Sequence, residues 1–290
     1  MSMMLRMAGT LGQRRKFDGL LDLYPGAAAA YSLRTLSDAF INQPIIRVRR
    51  SNDNAEADFT AEEISNGTLT TWTGANNGLV VTWYDQSGNN RHATQATAGN
   101  QPMIVSAGSL VTDGGRVAIH RHANTVLLTA GTVQLVHPTT GAWSAFGAVK
   151  YVNNAVDNIF ANHDGFHRVA QMLKIQSVTN GGAQSIQFGN PTGIYSLIST
   201  AQNLANTRII QTAISGQFDL NIFVNGEEMG SMSHPNPNKT ISDRFDIFTR
   251  GSANTSSGRA YGQELIIYPS NQSANRTAIE SNINAAWGVY

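Results

Sequence analysis

The feature that most constrains the fold is the run Leu79–Tyr84, LVVTWY, and its abrupt end at the polar stretch Asp85–Asn90. In a β-strand, Leu79, Val81 and Trp83 point to one face and the residues between them to the other. Because both faces carry apolar groups, we expect a central strand that is covered on both sides. The polar residues that follow predict a loop closed by side-chain-to-backbone hydrogen bonds. A calcium-binding loop is the alternative, although the distal glutamate of such loops is missing.

Short strand-like runs separated by turn residues continue along the chain. At Asn225-Gly226 a tight hairpin is predicted, because a type I′ turn needs positive φ at both central positions. Many short strands at fairly even spacing predict an all-β fold, a two-sheet antiparallel jelly-roll sandwich. The other predicted strands are Pro44–Arg50, Val117–His122, Trp143–Tyr151, Asn158–Ala161, His167–Ile175, Ser185–Phe188, Arg208–Ile214, Asp219–Val224, Phe245–Thr249 and Gln263–Tyr268.

Two helices are predicted, one near each end of the chain. The segment Ala27–Phe40 begins with four alanines, and alanine has the highest helix propensity. The segment Ala274–Ala286 repeats Ile279 and Ile283 at helical spacing. Gly288 follows this second segment, where a helix commonly ends.

Residues 1–23 are predicted to form an arm, separate from a sandwich domain over 24–290. Basic residues come first and leucines follow, which suits anchoring to a neighbouring subunit. A frayed terminus is the alternative. The opening has no continuous apolar stretch, so no secretion signal is predicted. The predicted anchor residues are Arg6, Arg14, Arg15, Lys16, Leu20 and Leu21.

Charge and cysteine content narrow the chemistry. The net charge is +1 and charged residues make up 13% of the chain, against about 25% in a typical soluble protein. No global field therefore favours nucleic acid or a membrane, and neither is an expected partner. With no cysteine, disulfides and thiolate metal sites are excluded.

Two histidine groups have metal-like spacing. They are the segment His163–His167, HDGFH, and the pair His120 and His122. Zinc needs three or four convergent ligands, so a turn and an exposed strand edge are the preferred interpretations. No metal and no cofactor are therefore predicted.

An exposed aromatic residue supplies the candidate glycan site. Trp72 lies in the polar stretch LTTWTGANNG, where an indole ring would be free to stack on a sugar. We combine it with Asp85 and Asn89 of the following polar loop. These three residues are the predicted glycan-binding set.

Two blocks of sequence resemble known families. The stretches FDLNIFVNGEEMG, GQELIIYPS and ANRTAIESNINAAWGVY are similar to a laminin-G-like or concanavalin-A-like jelly roll. The stretches AAYSLRTLSDAFINQPIIRVRR and VVTWYDQSGNNRHATQ resemble the opening of the fungal α-L-arabinofuranosidase B catalytic domain. They resemble still more closely a set of bacteriophage and prophage structural proteins.

The arabinofuranosidase resemblance implies chemistry that this chain lacks. That family retains configuration, which requires two carboxyl groups about 5 Å apart. The regions where the resemblance places them, Gly165–Phe218 and Ile247–Gln263, contain no Asp or Glu, and we expect no glycosidase activity. An enzyme with relocated carboxylates is the rival hypothesis. Its candidates are Glu264, Asp246, Asp164 and Asp219.

The phage resemblance implies a non-catalytic structural component of a virion, either a capsid decoration or a tail or fibre protein. The expected partners are other virion proteins, reached through the arm, and further copies of the chain in a homo-oligomer. The implied location is the virion, after synthesis in the host cytoplasm. Adhesion to a host surface glycan is a further expectation, and a stand-alone carbohydrate-binding module is the third hypothesis.

Overall fold

The computed structural model describes residues 18–122, 127–129, 142–152, 157–163, 171–177, 184–190, 193–198, 204, 206–216, 219–233, 244–248 and 259–290. The first strands are β1 (Ala29–Ser32), β2 (Ile46–Arg50), β3 (Glu56–Phe59), β4 (Gly78–Trp83), β5 (Ala93–Thr94), β6 (Met103–Ser106), β7 (Ser109–Leu110), β8 (Thr112–Asp113), β9 (Arg116–Val117), β10 (Ile119–Arg121) and β11 (Leu127–Thr129). They are followed by β12 (Trp143–Val152), β13 (Asp157–His163), β14 (Gln171–Ser177), β15 (Gln184–Asn190), β16 (Gly193–Ile198), β17 (Arg208–Ser215), β18 (Asp219–Val224), β19 (Glu227–Ser233), β20 (Arg244–Ile247) and β21 (Arg259–Tyr268).

Helices are short and few within these ranges. The α-helices are α1 (Leu20–Leu23), α2 (Ala61–Ser65), α3 (Thr68–Thr73) and α4 (Arg276–Trp287), and single 3-10 turns lie at Asp38–Phe40 and Ala98–Asn100. None of the helices in the described part of the chain is long and apolar enough to cross a membrane.

The strands form two connected antiparallel layers. In the first layer the hydrogen-bonded order is β19, β18, β17, β12 and β21, and both β1 and β10 pair with the far side of β21. The second layer runs β3, β2, β4, β5, β11, β20, β13, β14, β15 and β16. β6 connects the layers because it pairs with both β4 and β10. The predicted all-β sandwich is confirmed.

The core lies where the two layers face each other. Tyr31 on β1 meets Trp83 on β4 with ring centroids 5.8 Å apart, and both side chains are fully buried. β4 is central, as predicted, since it pairs with β2 on one side and with β5 and β6 on the other. Its two faces differ, however. Val80 is completely buried whereas Val81 is only half-buried, so the expectation of full cover on both faces holds only in part.

The predicted helix over Ala27–Phe40 is wrong. Ala29–Ser32 instead forms β1, whose four residues are all buried and pair with β21 from Ile267 to Glu264. Helix propensity differs between residues by less than about 1 kcal/mol. Burial of the whole segment against β21, together with its ladder hydrogen bonds, outweighs that preference.

The predicted arm is partly corrected. Residues 1–17, with the anchors Arg6, Arg14, Arg15 and Lys16, lie outside the described residues. Leu20 and Leu21 do not reach away from the domain, because α1 buries them in the domain's own core at 0% and 8% exposure. The Leu21 backbone nitrogen also donates to the Leu36 oxygen at 2.9 Å. Both leucines therefore belong to the sandwich rather than to an assembly anchor.

The hairpin at Asn225-Gly226 and the C-terminal helix lie close to their predicted positions. Asn225 and Gly226 have φ of 52° and 84°, so the hairpin between β18 and β19 turns as predicted. α4 covers one more residue at its end than expected, buries Ile279 and Ile283, and stops at Gly288 with φ of 59°. It contacts β12 and β17 on the outer side of the first layer.

Candidate functional site

The loop after β4 is held by the buried carboxylate of Asp85. Its Oδ1 accepts from the backbone nitrogens of Ala30 at 2.8 Å and Ser87 at 2.9 Å. Its Oδ2 accepts from the Ser87 hydroxyl at 2.8 Å and the Arg91 backbone nitrogen at 3.0 Å. Each carboxylate oxygen has two lone pairs, so all of them are occupied. The loop is closed by side-chain-to-backbone bonds, as the sequence predicts.

The neighbouring side chains of this loop satisfy the backbone on the free side of β1. Gln86 donates from Nε2 to the oxygens of Ser32 and Arg34, and its Oε1 accepts from the Leu36 nitrogen. Asn89 donates to two alanine oxygens at the start of β1, those of Ala27 and Ala28. These bonds replace the ladder that another strand would supply.

This arrangement corrects the glycan assignment of Asp85. The side chain is 1% exposed and has no acceptor position left for a sugar hydroxyl. The calcium alternative is also disfavoured at Asp85, because N–H and O–H donors occupy the oxygens that a cation would need. Across the described residues, no three or more His, Asp or Glu side chains converge as metal ligands. A glycan role for Asn89, which is exposed, stays a prediction.

Trp72 is not the exposed loop residue that the sequence suggests. It lies on α3 and is half-buried, with its ring edge-on to Phe59 at a centroid distance of 5.4 Å. The Arg50 guanidinium covers the ring at 4.8 Å, which is cation–π distance. Because its ring already packs against Phe59 and Arg50, Trp72 is a packing residue. Sugar stacking on Trp72 stays a prediction.

A second buried carboxylate, Glu264, lies on the outer side of β21 beneath α4. Its Oε2 accepts from the Ser32 hydroxyl, Arg34 Nε and Trp287 Nε1, and its Oε1 accepts from Arg34 Nη2, all at 2.8 to 2.9 Å. Arg34 also donates to Asn282 of α4. Burial alone would lower the pKa of Arg34, but the Glu264 charge raises it above its ordinary value. The cluster links β1, β21 and α4.

A third cluster joins the small β8–β9 hairpin to the end of α4. Asp113 contacts Lys150 Nζ at 2.9 Å and Arg208 Nε at 3.2 Å. Arg208 also donates from Nη1 to the Gly288 oxygen and from Nη2 to the Trp287 oxygen. A cation at the last carbonyls of a helix satisfies their free lone pairs and complements the helix dipole.

His120 on β10 and His122 just after it do not form a metal centre with a third ligand among the described residues. The His120 ring stacks on Tyr261 at 4.6 Å, and Lys150 approaches the Tyr261 ring at 5.5 Å. Burial, with the nearby His122 and Arg259, lowers the pKa of His120 to about 4. The imidazole therefore stays neutral at physiological pH. The segment Asp164–His167 lies outside the described residues.

A cleft of about 210 Å³ opens between the N-terminal segment and the Asp85–Asn90 loop. Asp22, Ser37 and Phe40 line one wall, and Ser87 and Gly88 line the other. Sequence reasoning missed Ser37 and Asp22, because the helix predicted for Ala27–Phe40 obscured the turn that carries Ser37. The motif DQSGNN was the sequence signal for this cleft, because its residues Gln86, Ser87 and Gly88 line the opposite wall.

No protein-family model matches the chain, and no curated protein sequence matches it. Among solved structures it is similar to a GH54 α-L-arabinofuranosidase soaked with a cyclic sulfate inhibitor, with a TM-score of 0.66 and 17% identity. It is also similar to an arabinofuranosidase complexed with arabinofuranosyl-α-1,2-xylobiose, with a TM-score of 0.62 and 17% identity. Each match covers 93% of this chain and 65% of the enzyme chain.

A more distant match is a binding domain rather than an enzyme. The binding domain of Paraclostridial Mosquitocidal Protein 1 matches with a TM-score of 0.52 and 13% identity, over 84% of this chain and 52% of that one. At these identities the likeness is one of fold. The chain thus shares the β-sandwich fold of the GH54 arabinofuranosidases and spans 65% of their length.

Proposed function

We propose that the chain is a non-catalytic sandwich module that serves as a structural and glycan-adhesive component of a bacteriophage particle. The fold likeness to an arabinofuranosidase complexed with arabinofuranosyl-α-1,2-xylobiose supports the glycan part. The sequence blocks that resemble phage structural proteins support the particle part. One observation carries the non-catalytic part: a carboxylate that could replace the missing pair is committed to holding the fold.

That carboxylate is Glu264. A retaining glycosidase needs two carboxyl groups that reach the substrate, and one of them must exchange protons with it. Glu264 is 1% exposed and accepts four hydrogen bonds from protein donors. Moving it toward a substrate would leave Arg34 as an uncompensated charge and the Trp287 N–H unpaired.

The rival enzyme therefore depends on the other acids. Asp219 is exposed, and among the described residues its Oδ2 accepts a long bond of 3.3 Å from Asn221. The side chain of Asp246 and the whole of Asp164 lie outside the described residues. A catalytic pair would have to be assembled from these three.

An activity assay distinguishes the proposed non-catalytic module from the rival enzyme. We expect the purified chain to release no nitrophenol from 4-nitrophenyl α-L-arabinofuranoside above the buffer rate. Turnover that is lost in Asp219→Asn and kept in Asp38→Asn, a matched change at an exposed acid elsewhere, would establish the enzyme instead. Glu264→Gln is unsuitable as the first test because it removes a structural contact.

The particle role is tested by incorporation. Since Leu20 and Leu21 are core residues, the deletion should stop at residue 17. We expect the truncated chain to unfold at the same denaturant concentration as the full chain but to be missing from purified particles, as judged by mass spectrometry. Normal incorporation of the truncated chain would refute the arm as the assembly anchor.

A further inference from the structure

The cleft beside the Asp85–Asn90 loop has the size of one small ligand. Its volume is about 210 Å³, which corresponds to about seven water molecules in the liquid and accommodates a single sugar ring. Apolar groups cover much of its wall, including Pro25, Ala39 and Phe40. Apolar walls with a few placed polar groups are typical of small-molecule sites.

The Ser37 hydroxyl has no protein partner in this cleft. Ser37 is 7% exposed and lines the cavity, and no atom of the described residues makes a hydrogen bond with its hydroxyl. The buried side-chain atoms that lack a partner in the described residues do not include this hydroxyl, so solvent reaches it through the cleft. The Ser37 hydroxyl is therefore available for a hydrogen bond with a molecule that occupies the cleft.

Asp22 supplies a second polar group, and it is an acceptor. Its Oδ2 accepts from the backbone nitrogens of Gly19 at 2.9 Å and Asp38 at 2.8 Å. These bonds fix the carboxylate in place, while Oδ1 accepts no bond from the described residues. A fixed acceptor next to a hydroxyl that both donates and accepts suits a ligand with adjacent hydroxyl groups.

The opposite wall leaves room for such a ligand. Gly88 has a φ of +85°, and a Cβ placed there would meet nothing within 4 Å. Ser87 is already saturated, because its hydroxyl bonds Asp85 and accepts from Asn89. The loop thus presents a smooth, neutral surface, while Asp22 disfavours anionic ligands by its charge.

We propose that this cleft is a binding site for one neutral, polyhydroxylated sugar ring, with Asp22 and Ser37 as its polar contacts and Phe40 as its apolar surface. The proposal rests on the glycan-adhesive part of the proposed function. It places a glycan site in the cleft that Ser87 and Gly88 line, in place of the predicted contact at Asp85.

Saturation-transfer-difference NMR on the full chain tests this site. The probes are L-arabinose, D-galactose, D-glucose and N-acetyl-D-glucosamine, each titrated separately. Ser37→Ala removes the unpaired hydroxyl and should weaken binding by about tenfold, the upper range for one hydrogen bond. Ala39→Leu fills the cleft from an exposed position and should abolish the signal. Ser109→Ala and Ala96→Leu, matched changes at exposed positions away from the cleft, should leave binding unchanged.

The outcomes distinguish this site from the broader function. If a sugar binds equally to wild type, Ser37→Ala and Ala39→Leu, the cleft is refuted while glycan adhesion survives at another surface. If none of the sugars gives a signal with the wild type, both the cleft and adhesion are refuted. The particle role is then judged separately by incorporation. Unchanged thermal unfolding of each variant confirms that a loss of binding reflects the site.

Discussion

The Asp85 carboxylate lies 2.8 Å from the backbone nitrogen of Ala30, a residue 55 positions earlier in the chain. This contact joins the loop after β4 of one layer to β1 of the other. It explains why a polar loop follows an apolar strand at this point. The loop is the means by which the first strand of the sandwich is secured.

Replacement of Asp85 tests that role. Asp85→Ala leaves the nitrogens of Ala30, Ser87 and Arg91 without their acceptor, and an unsatisfied buried group costs about 1–3 kcal/mol. We expect the free energy of unfolding to fall by about 3 kcal/mol or more, measured by urea denaturation. Asn89→Ala, at an exposed position of the same loop, should cost about 1 kcal/mol or less. Equal losses for the two variants would contradict the central position of Asp85.

Glu264 and Arg34 should respond unequally to removal. Glu264→Gln places an amide group among N–H donors and leaves the arginine charge without its counter-charge, for an expected loss of about 3–5 kcal/mol. The Arg34 side chain is 26% exposed, whereas the Glu264 side chain is at 0%. Arg34→Ala should therefore cost more than Glu264→Gln, because it leaves the fully buried carboxylate without its counter-charge, whereas the arginine left by Glu264→Gln can reach water. Chemical denaturation of both variants and the double variant measures the coupling, and additive losses would argue against the pair.

The shape of the Arg208 side chain, as well as its charge, should stabilise the end of α4. It bonds two carbonyls at the end of α4 and contacts Asp113. A lysine keeps the charge but lacks the fork that reaches both oxygens. We expect Arg208→Lys and Arg208→Ala to speed amide exchange in the last turn of α4, with the alanine variant faster. Unchanged exchange in the lysine variant would mean that charge alone holds the helix end.

The lowered pKa of His120 predicts that the free energy of unfolding depends on pH in the acidic range. Burial, His122 and Arg259 lower its pKa to about 4, from about 6.5 in the unfolded chain. Between these values the unfolded state binds more protons, so stability should fall as the pH drops from about 6.5 to 4. NMR titration should place the His120 midpoint near 4, and His120→Gln should flatten the stability profile in this window. A midpoint near 6.5 would contradict the buried environment.

The sequence was informative where apolar periodicity and turn chemistry agree. β4, β18 and α4 lie within two residues of their predicted bounds, and Asn225-Gly226 forms the expected turn. Each of these elements carries its own local signal, either alternation, positive-φ residues or helical spacing. The sandwich class followed from the number and spacing of such elements.

The misses arose where tertiary pairing decides the structure. Four alanines favour a helix locally, yet β21 and the loop bonds make Ala29–Ser32 a strand. Two short helices, α2 and α3, were overlooked although Thr60 and Glu63 form a reciprocal cap, which is readable as a T-x-x-E pattern. The cleft could not be predicted because it is formed by residues 21–40 and 86–88, which are distant in sequence.

The side chains that bond the free edge of β1 also affect whether a second chain can pair with this strand. A strand at the border of a sheet normally offers free amide and carbonyl groups on which a second chain can build. Here Asp85 and Gln86 bond backbone groups of β1, and Asn89 bonds the Ala28 oxygen just before the strand. This edge of β1 is therefore closed to the addition of a strand from a second chain.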